Sequence, residues 1–428
     1  MKLLSRKPRI EESRSGFLTN YPPYGFWRRE AAEGFMAQRP LNIYVHVPYC
    51  IQRCAYCYYK TETLSKQRLA EIERYVDALC EEIRLVSRAQ DFSRYKVSTI
   101  YFGGGTPTLL TQAQLERIVG TLSQVVSLED IELTFEAEPV TLTRQKMQVL
   151  ERLGVNRISL GIQSFSDEII QATGRKDTEA QALRSIELAK SSSAIVNIDL
   201  LSGLAGETDE SWAYSLRRAF EIDPHCITIY KMEPYPNTEY FVDARNERVA
   251  LPDEATELRF MREAIDQLEK AGYQPLTFFT FSKKREWAQQ HIRNRWLGEA
   301  MYGFGVSAFG QWDGTLIQNT SDLRRYIEIL ESGQLPLARG YRLTSVDHAI
   351  RHLLLGMKLV HLDHRCFQKR HGLDLLRVCA AELQELEDAG VLTVNEQAIS
   401  LTSRGVLYGD YAGRTLAWRV WQTCRGEG

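Results

Sequence analysis

The sequence predicts an α/β fold, a partial (β/α)6-type barrel followed by a winged-helix-like domain. Three observations lead there. Between residues 41 and about 235, short β-rich runs alternate with longer charged segments of helical period. Cysteines, glycines and single polar residues fall directly after those runs. Beyond residue 345 the pattern becomes helix, helix and two short strands.

The expected strands are 41–47, 97–102, 131–135, 157–162, 195–200 and 226–230, each rich in Ile, Val, Leu, Tyr or Phe. The expected helices between them are 68–87, 112–125, 142–153, 178–190 and 209–221. Alternation of this kind implies parallel βαβ units, and such barrels place their chemistry at the C-terminal ends of the strands. A helix over 253–271 and an apolar run at 276–281 continue the domain, and 283–310 reads as irregular, basic and aromatic. A linker around 333–340 precedes helices at 345–359 and 373–389, a two-stranded wing at 391–394 and 399–401, and a last amphipathic helix at 416–421. The expected organisation is an extension over 1–40, a barrel domain over 41–332 with a substrate-pocket segment at 273–310, and a C-terminal domain over 341–428.

Composition narrows the function classes. The 428 residues carry 53 Lys and Arg against 55 Asp and Glu, a net charge of −2, so neither a nucleic acid nor an acidic membrane is the expected partner. The winged-helix-like tail does not change this, since Glu382, Glu385, Glu387 and Asp388 crowd its second helix. No run approaches the ~20 apolar residues of a membrane span or the ~7–15 of a secretory core, which predicts a cytoplasmic protein. Three of the eight cysteines share one loop, and Cys80, Cys226, Cys366, Cys379 and Cys424 are scattered as small hydrophobes, unlike a disulfide scaffold.

The loop is Cys50-Ile-Gln-Arg-Cys54-Ala-Tyr56-Cys57. Structural zinc sites favour Cys-x2-Cys pairs and a fourth ligand, and ferredoxins supply four thiolates. Three thiolates on one tight loop can hold three irons of a cubane and leave the fourth open to chelate another molecule. The competing reading is a zinc site completed by His46, although His46 lies on the strand and is expected to pack beneath the loop.

These residues resemble the radical S-adenosylmethionine (SAM) superfamily, and more narrowly the oxygen-independent coproporphyrinogen III oxidase-like, or HemN/HemW-like, family. The similarity runs along nearly the whole chain, through Tyr44-Val-His-Val-Pro-Tyr-Cys50, Tyr101-Phe-Gly-Gly-Gly-Thr-Pro107, Phe135-Glu-Ala-Glu-Pro139, Arg157 to Phe165 and Asp199-Leu-Leu-Ser-Gly-Leu204. The resemblance implies a radical SAM enzyme of the cytoplasm. Its [4Fe–4S] cluster would be held by Cys50, Cys54 and Cys57, the residues on which catalysis depends. Tyr44, Tyr56, Gly103, Gly104, Gly105, Thr106, Glu136, Gln163, Arg175 and Asp199 would bind SAM. The glycines would admit its methionine end, the carboxylates would accept from hydroxyls or an ammonium, and Arg175 would pair with a carboxylate. An electron donor such as flavodoxin or ferredoxin would reduce the cluster.

Departures from the family pattern leave the subtype open. Authentic coproporphyrinogen oxidases look like Cys-x3-Cys-x2-Cys-x-Cys, and Tyr59 stands at the fourth position here. The heme-chaperone branch carries His-Asn-x-x-Tyr-Trp, where this chain has His291-Ile-Arg-Asn-Arg-Trp296. The usual Pro after Gly-Leu is Ala205. Three outcomes stay in play: oxidative decarboxylation of a porphyrinogen, class C methyl or methylene transfer with two SAM molecules instead of one, and a HemW-type heme-binding chaperone with little catalysis. His291, Arg293, Arg295 and Trp296 are the expected substrate residues, mixing cations and aromatics suited to a flat or carboxylate-bearing small molecule.

Overall fold

The computed structural model describes residues 6–10, 19–28, 42–65, 68–89, 96–236, 238–312 and 314–426. Much of the expected extension over 1–40, and strand residue Leu41, lie outside them. The chain divides into two units: a larger one from Arg28–Phe260 and Ala300–Gly340, and a smaller one from Met1–Trp27, Met261–Glu299 and Tyr341–Gly428.

In the larger unit the β-branched runs become strands as expected. They are β1 (Asn42–Val47), the short β2 (Tyr49–Cys50) and β3 (Glu62–Thr63), β4 (Thr99–Gly104), β5 (Glu132–Ala137), β6 (Arg157–Gln163), β7 (Ile195–Ser202) and β8 (Cys226–Lys231). From β1 through β4, β5, β6 and β7 to β8 each strand pairs in parallel with the next. The residues of one face of these strands, among them Ile43, Val45, Phe102, Phe135, Ile158, Leu160, Ile198 and Ile229, are almost fully buried. Helices α1 (Leu69–Ala89), α2 (Gln112–Ser123), α3 (Arg144–Arg152), α4 (Asp167–Ala172), α5 (Glu179–Lys190) and α6 (Asp209–Ile222) return the chain between strands, and α7 (Glu239–Arg245) follows β8. Threonine starts several of them. Thr111, Thr178 and Thr208 each accept from the third backbone N–H of the helix while the side chain there reaches back to the cap, satisfying two donors that a helix start leaves unpaired.

The other edge of the sheet was not legible as sheet. Part of the stretch expected to be irregular forms β11 (Met301–Phe304), parallel to β1, then β12 (Phe309–Trp312) antiparallel to it. β13 (Thr315–Asn319) extends the meander, α10 (Leu323–Glu331) follows it, and the second half of the expected linker is strand β14 (Leu337–Arg342). Glycine masks β11, because Gly303 and Gly305 lower its apparent strand propensity. A Cβ at Gly303 would strike the backbone of Phe309, so that approach requires glycine.

Buried Glu82 on α1 ties this edge together. It accepts from the Gly305 N–H at 2.8 Å, the Tyr326 hydroxyl at 2.6 Å and Asn319 Nδ2 at 2.7 Å. Burial pushes its carboxyl up to about 7 despite those three donors, which favour the charged form. The folded value therefore lies above the unfolded one. The unfolded chain releases this proton first as pH rises from about 4.5, so stability is fullest below that value and declines until about pH 7, by up to about 3 kcal/mol. Glu82→Gln should remove that slope, read as urea midpoints at about pH 5 and about pH 8. It should also destabilise at both, since an amide NH2 cannot accept from the donors it meets. An unchanged slope would refute the assignment.

The smaller unit holds α8 (Glu254–Lys270) from Met261 onward, β9 (Gln274–Pro275), β10 (Thr280–Ser282) and α9 (Gln290–Trp296). Its C-terminal part comprises α11 (Ser345–Gly356), β15 (His361–Asp363), α12 (His364–His371), α13 (Leu375–Val378), α14 (Ala380–Asp388), β16 (Leu392–Val394), β17 (Ala398–Leu401), α15 (Ser403–Leu407) and α16 (Tyr411–Gly426). The wing has three strands instead of two, since β15 joins β17 beside β16. The helix expected over 373–389 breaks at Cys379. Lys358 and Asp410 form a buried ion pair here, with the ammonium 4.6 Å from the centre of the Phe278 ring. Among the described residues no helix is long and apolar enough to cross a membrane.

Candidate active site

The cysteine loop leaves the C-terminal end of β1 and is closed by its own backbone. β2 pairs with β3 in parallel, Glu62 N–H donates to Pro48 O at 2.7 Å and Leu64 N–H to Cys50 O at 2.8 Å. Midway, Ala55 N–H donates to Thr173 O at 2.9 Å, and Tyr240 N–H donates to Ala55 O at 3.0 Å. A turn from Cys57 N–H to Cys54 O at 3.0 Å brings the last two cysteines round. Cys50 is buried and accepts from the Thr106 hydroxyl at 3.7 Å, and Cys54 and Cys57 are part-exposed. All three are free thiols.

Burial, then the charge of Glu138, push the Cys50 thiol up to about 12; burial raises Cys57 to about 11 and also raises Cys54. Cys50 feels the charges of Cys57 and Cys54, and Cys57 that of Cys54, while Glu138 acts on all three, so they share one electrostatic neighbourhood. Thiols raised in this way stay protonated at neutral pH, and iron is the kind of partner that converts such thiols to thiolates. Among the described residues no three His, Cys, Asp or Glu side chains close on one point, as a zinc cage requires. A cubane takes one thiolate on each of three irons, a wider spacing that one loop can supply. The donor set suits the cubane.

The glycine turn abuts this loop. Gly105 N–H donates to Val47 O at 2.7 Å and Thr106 N–H to Tyr49 O at 2.8 Å. Gly104 has φ +110°, and a Cβ there would collide with the His46 ring. Glycine is needed here for the protein's own packing, a reason the sequence did not disclose. His46 is buried and its imidazole is pushed down to about 4, hence neutral. Its Nδ1 lies 3.1 Å from the Tyr44 hydroxyl and its Nε2 3.4 Å from Lys60 O. A neutral ring with hydrogen on Nε2 would accept from Tyr44 and donate to Lys60, which uses His46 beside the loop and not as a fourth ligand.

Two carboxylates lie on neighbouring parts of the sheet, Glu136 near the C-terminal end of β5 and Asp199 within β7. Glu136 on β5 accepts from the Tyr101 hydroxyl at 2.6 Å and the Gly104 N–H at 3.0 Å, and burial pushes it up to about 7. Asp199 on β7 accepts from the Ser159 hydroxyl at 2.9 Å and from Asn197 Nδ2 at 2.8 Å, and burial pushes it up to about 6. Among the described residues neither is paired with a cation. Desolvated carboxylates fed only by neutral donors are costly, and a ligand bearing an ammonium, a sulfonium or hydroxyls would offset that cost. Gln163 closes β6 at φ +68°, with its amide crowding Gly161.

Arg175, expected to pair with a carboxylate of SAM, already has carboxylate partners within the protein. Its guanidinium is buried, paired with Asp177, 2.9 Å from Gly161 O, 3.5 Å from the Tyr56 hydroxyl and 3.9 Å from Glu138. It braces the middle of the cysteine loop through Tyr56. Sequence reasoning missed Asp177, Glu138, Tyr101, Ser159 and Asn197, and only the Glu-Ala-Glu run hinted at Glu138. Tyr59 lies near Glu136 and Tyr230; the adjacent Tyr58 hydroxyl is the foremost cause raising its phenol. The expected substrate residues fall on α9 in the smaller unit, where His291 and Trp296 are buried and Arg293 is exposed. His291 is pushed down to about 3 by burial, then by Arg295.

Residues 44–219 match the radical SAM superfamily, and 343–408 match the HemN C-terminal domain. The heme chaperone HemW of Lactococcus lactis is 31% identical over 295 residues, which is 68% of this chain and 75% of that protein. The chain belongs to the HemN/HemW-like radical SAM family. Within this family, the oxygen-independent coproporphyrinogen III oxidase of Helicobacter pylori is 28% identical over 386 residues, 86% of this chain and 83% of that one. The solved structure of coproporphyrinogen III oxidase (HemN) from Escherichia coli, a radical SAM enzyme, matches with TM-score 0.79 at 25% identity, covering 95% of this chain and 97% of that chain. The HemN-like fold expected from the sequence is thus the fold found, and the cofactors of this radical SAM chain are a [4Fe–4S] cluster and SAM.

Proposed function

We propose that the chain is a radical SAM enzyme acting on an unactivated carbon of a small molecule. The observation that carries this reading is the convergence of a three-thiol loop with two cation-free, part-buried carboxylates on β5 and β7. Cys50, Cys54 and Cys57 would hold the cluster. Tyr44, Tyr56, the 103–106 turn, Glu136, Gln163 and Asp199 would hold SAM, with Arg175 bracing Tyr56 as well as offering its charge. When bound, the cluster supplies the electron that splits SAM into methionine and a 5′-deoxyadenosyl radical able to take hydrogen from carbon. The protein's part is positional. Neutral His46 orients Tyr44, and Glu136 and Asp199 offer acceptors.

The test is anaerobic. Protein loaded with iron and sulfide, reduced and given SAM, should form 5′-deoxyadenosine. A fully loaded, reduced protein that forms none would overturn the proposal. S-Adenosylhomocysteine accumulating with substrate would mark methyl transfer over oxidation. The name of the 31% identical relative supports a second reading, a heme-binding chaperone. In that case heme titration should give a Soret shift that is lost in His291→Ala.

A further inference from the structure

Tyrosines run from within the candidate site to its rim. Tyr101 lies between two residues assigned above to SAM. Its ring stacks with that of Tyr44 at 6.0 Å and 23°, and its hydroxyl donates to Glu136 at 2.6 Å. Tyr59 also feels the charge of Glu136, and its hydroxyl is hydrogen-bonded to that of Tyr58. The Tyr58 and Tyr59 rings stack with centres 4.5 Å apart, and Tyr235 brings its ring centre to 4.4 Å from that of Tyr58. Tyr58 and Tyr59 keep 43% and 49% of their surface exposed, so this series of phenols ends in solvent. Aromatic packing accounts for the stacked rings. It does not account for one carboxylate acting on two phenols, the outer of which shares its hydrogen bond with a third.

We propose that Tyr101, Tyr59 and Tyr58 form an escape path along which a radical that misses its substrate is carried to the surface and quenched. The inference rests on the radical SAM reading above. A carbon radical in the site takes the phenolic hydrogen atom of Tyr101: the O–H bond breaks, a C–H bond forms, and Tyr101 is left a phenoxyl radical. The step runs downhill because a phenol O–H bond is weaker than an alkyl C–H bond. An electron then passes from Tyr59 to Tyr101. Tyr59 gives its proton to Glu136, and Glu136 gives one to Tyr101, so a whole hydrogen atom has moved and the carboxyl is unchanged. Tyr58 refills Tyr59 in the same way through their shared hydrogen bond. At the exposed Tyr58 a dissolved thiol returns the hydrogen atom, and two of the resulting thiyl radicals pair as a disulfide. Without such a path the radical would be spent on a C–H bond or a sulfur of the site itself.

The test is run without substrate on the cluster-loaded full chain, given SAM and reduced by photoexcited deazaflavin. The probe is a nitroso spin trap, tert-nitrosobutane, which adds to tyrosyl radicals it can reach. Peptide mass spectrometry locates the adducts, counted per 5′-deoxyadenosine formed so that a change in SAM affinity cancels. Adducts are expected on Tyr58 and its neighbour Tyr235, and only when SAM is present. Tyr101→Phe and Tyr59→Phe should each lose most of them, since phenylalanine keeps the ring and has no hydrogen atom to hand on. Tyr59→Phe changes an exposed hydroxyl only, and it decides the matter alone if Tyr101→Phe fails to load its cluster. Deoxyadenosine formed with no adduct at the rim, adducts undiminished in Tyr59→Phe, or adducts formed without SAM would each overturn the proposal. The first two would leave the radical reading standing, whereas no deoxyadenosine at all would overturn both.

Discussion

Cys54→Ala should abolish 5′-deoxyadenosine formation and strip most of the iron and sulfide from the chain. Two remaining thiolates cannot cap three irons, and no neighbouring His or Cys among the described residues is grouped to substitute. The loss should be one of ligation and not of fold. The loop is held by backbone bonds from Glu62, Leu64, Ala55 and Tyr240, none of which uses the Cys54 sulfur. Thermal unfolding of the unloaded protein should therefore barely move. Cys379→Ala supplies the contrast. That thiol is buried in the smaller unit and contacts Leu416 O at 3.8 Å, so its removal should cost stability yet leave the iron content intact. Deoxyadenosine persisting in Cys54→Ala would sink the assignment of the loop.

Arg175→Met should cost about 3–5 kcal/mol, the usual penalty for removing one member of a buried ion pair. The guanidinium answers Asp177 and Glu138 at once and also donates to Gly161 O. Without it two carboxylates face each other under the loop, where burial already raises Glu138 despite the nearby cation. The unfolding midpoint should fall by roughly 5 °C at neutral pH. Part of the loss should return in acid, where the orphaned carboxylates take up protons. Arg175→Lys should be intermediate, because an ammonium keeps the charge and loses the fork that reaches both Asp177 and Gly161. A midpoint unchanged in Arg175→Met would show that the guanidinium contributes nothing net to folding.

The parts of this architecture that repeat locally were readable in the sequence. Alternating β-branched runs and threonine-capped helices announce each βα unit, and the three-cysteine spacing announces the loop. What stayed hidden depends on distant residues. β11 carries Gly303 and runs straight into Gly305, which together read as irregular chain, and it becomes a strand only because β1 offers an open edge. Glu82 looked like one charge among many on α1, and its role needs Gly305, Asn319 and Tyr326 from beyond residue 300. Arg175 was legible as a cation, but not its pairing with Asp177, because spacing alone does not say which way two nearby side chains turn. The tyrosines at 58 and 59 were visible only as a missing cysteine. Their stack is completed by Tyr235, which no local pattern connects to them.

The interleaved chain path sets an order of events during synthesis. Every backbone bond that closes the cysteine loop comes from residues up to Tyr240. The strand that covers the other side of β1 emerges only at Met301–Phe304. On a ribosome adding roughly 5–20 residues per second, the loop is thus complete several seconds before its supporting strand gains its second neighbour. In that interval the nascent chain exposes an unpaired strand edge directly below three reduced thiols. Oxygen, stray metals and other chains all meet the protein at its most vulnerable there, so cluster insertion after release of residue 304 is the safer sequence.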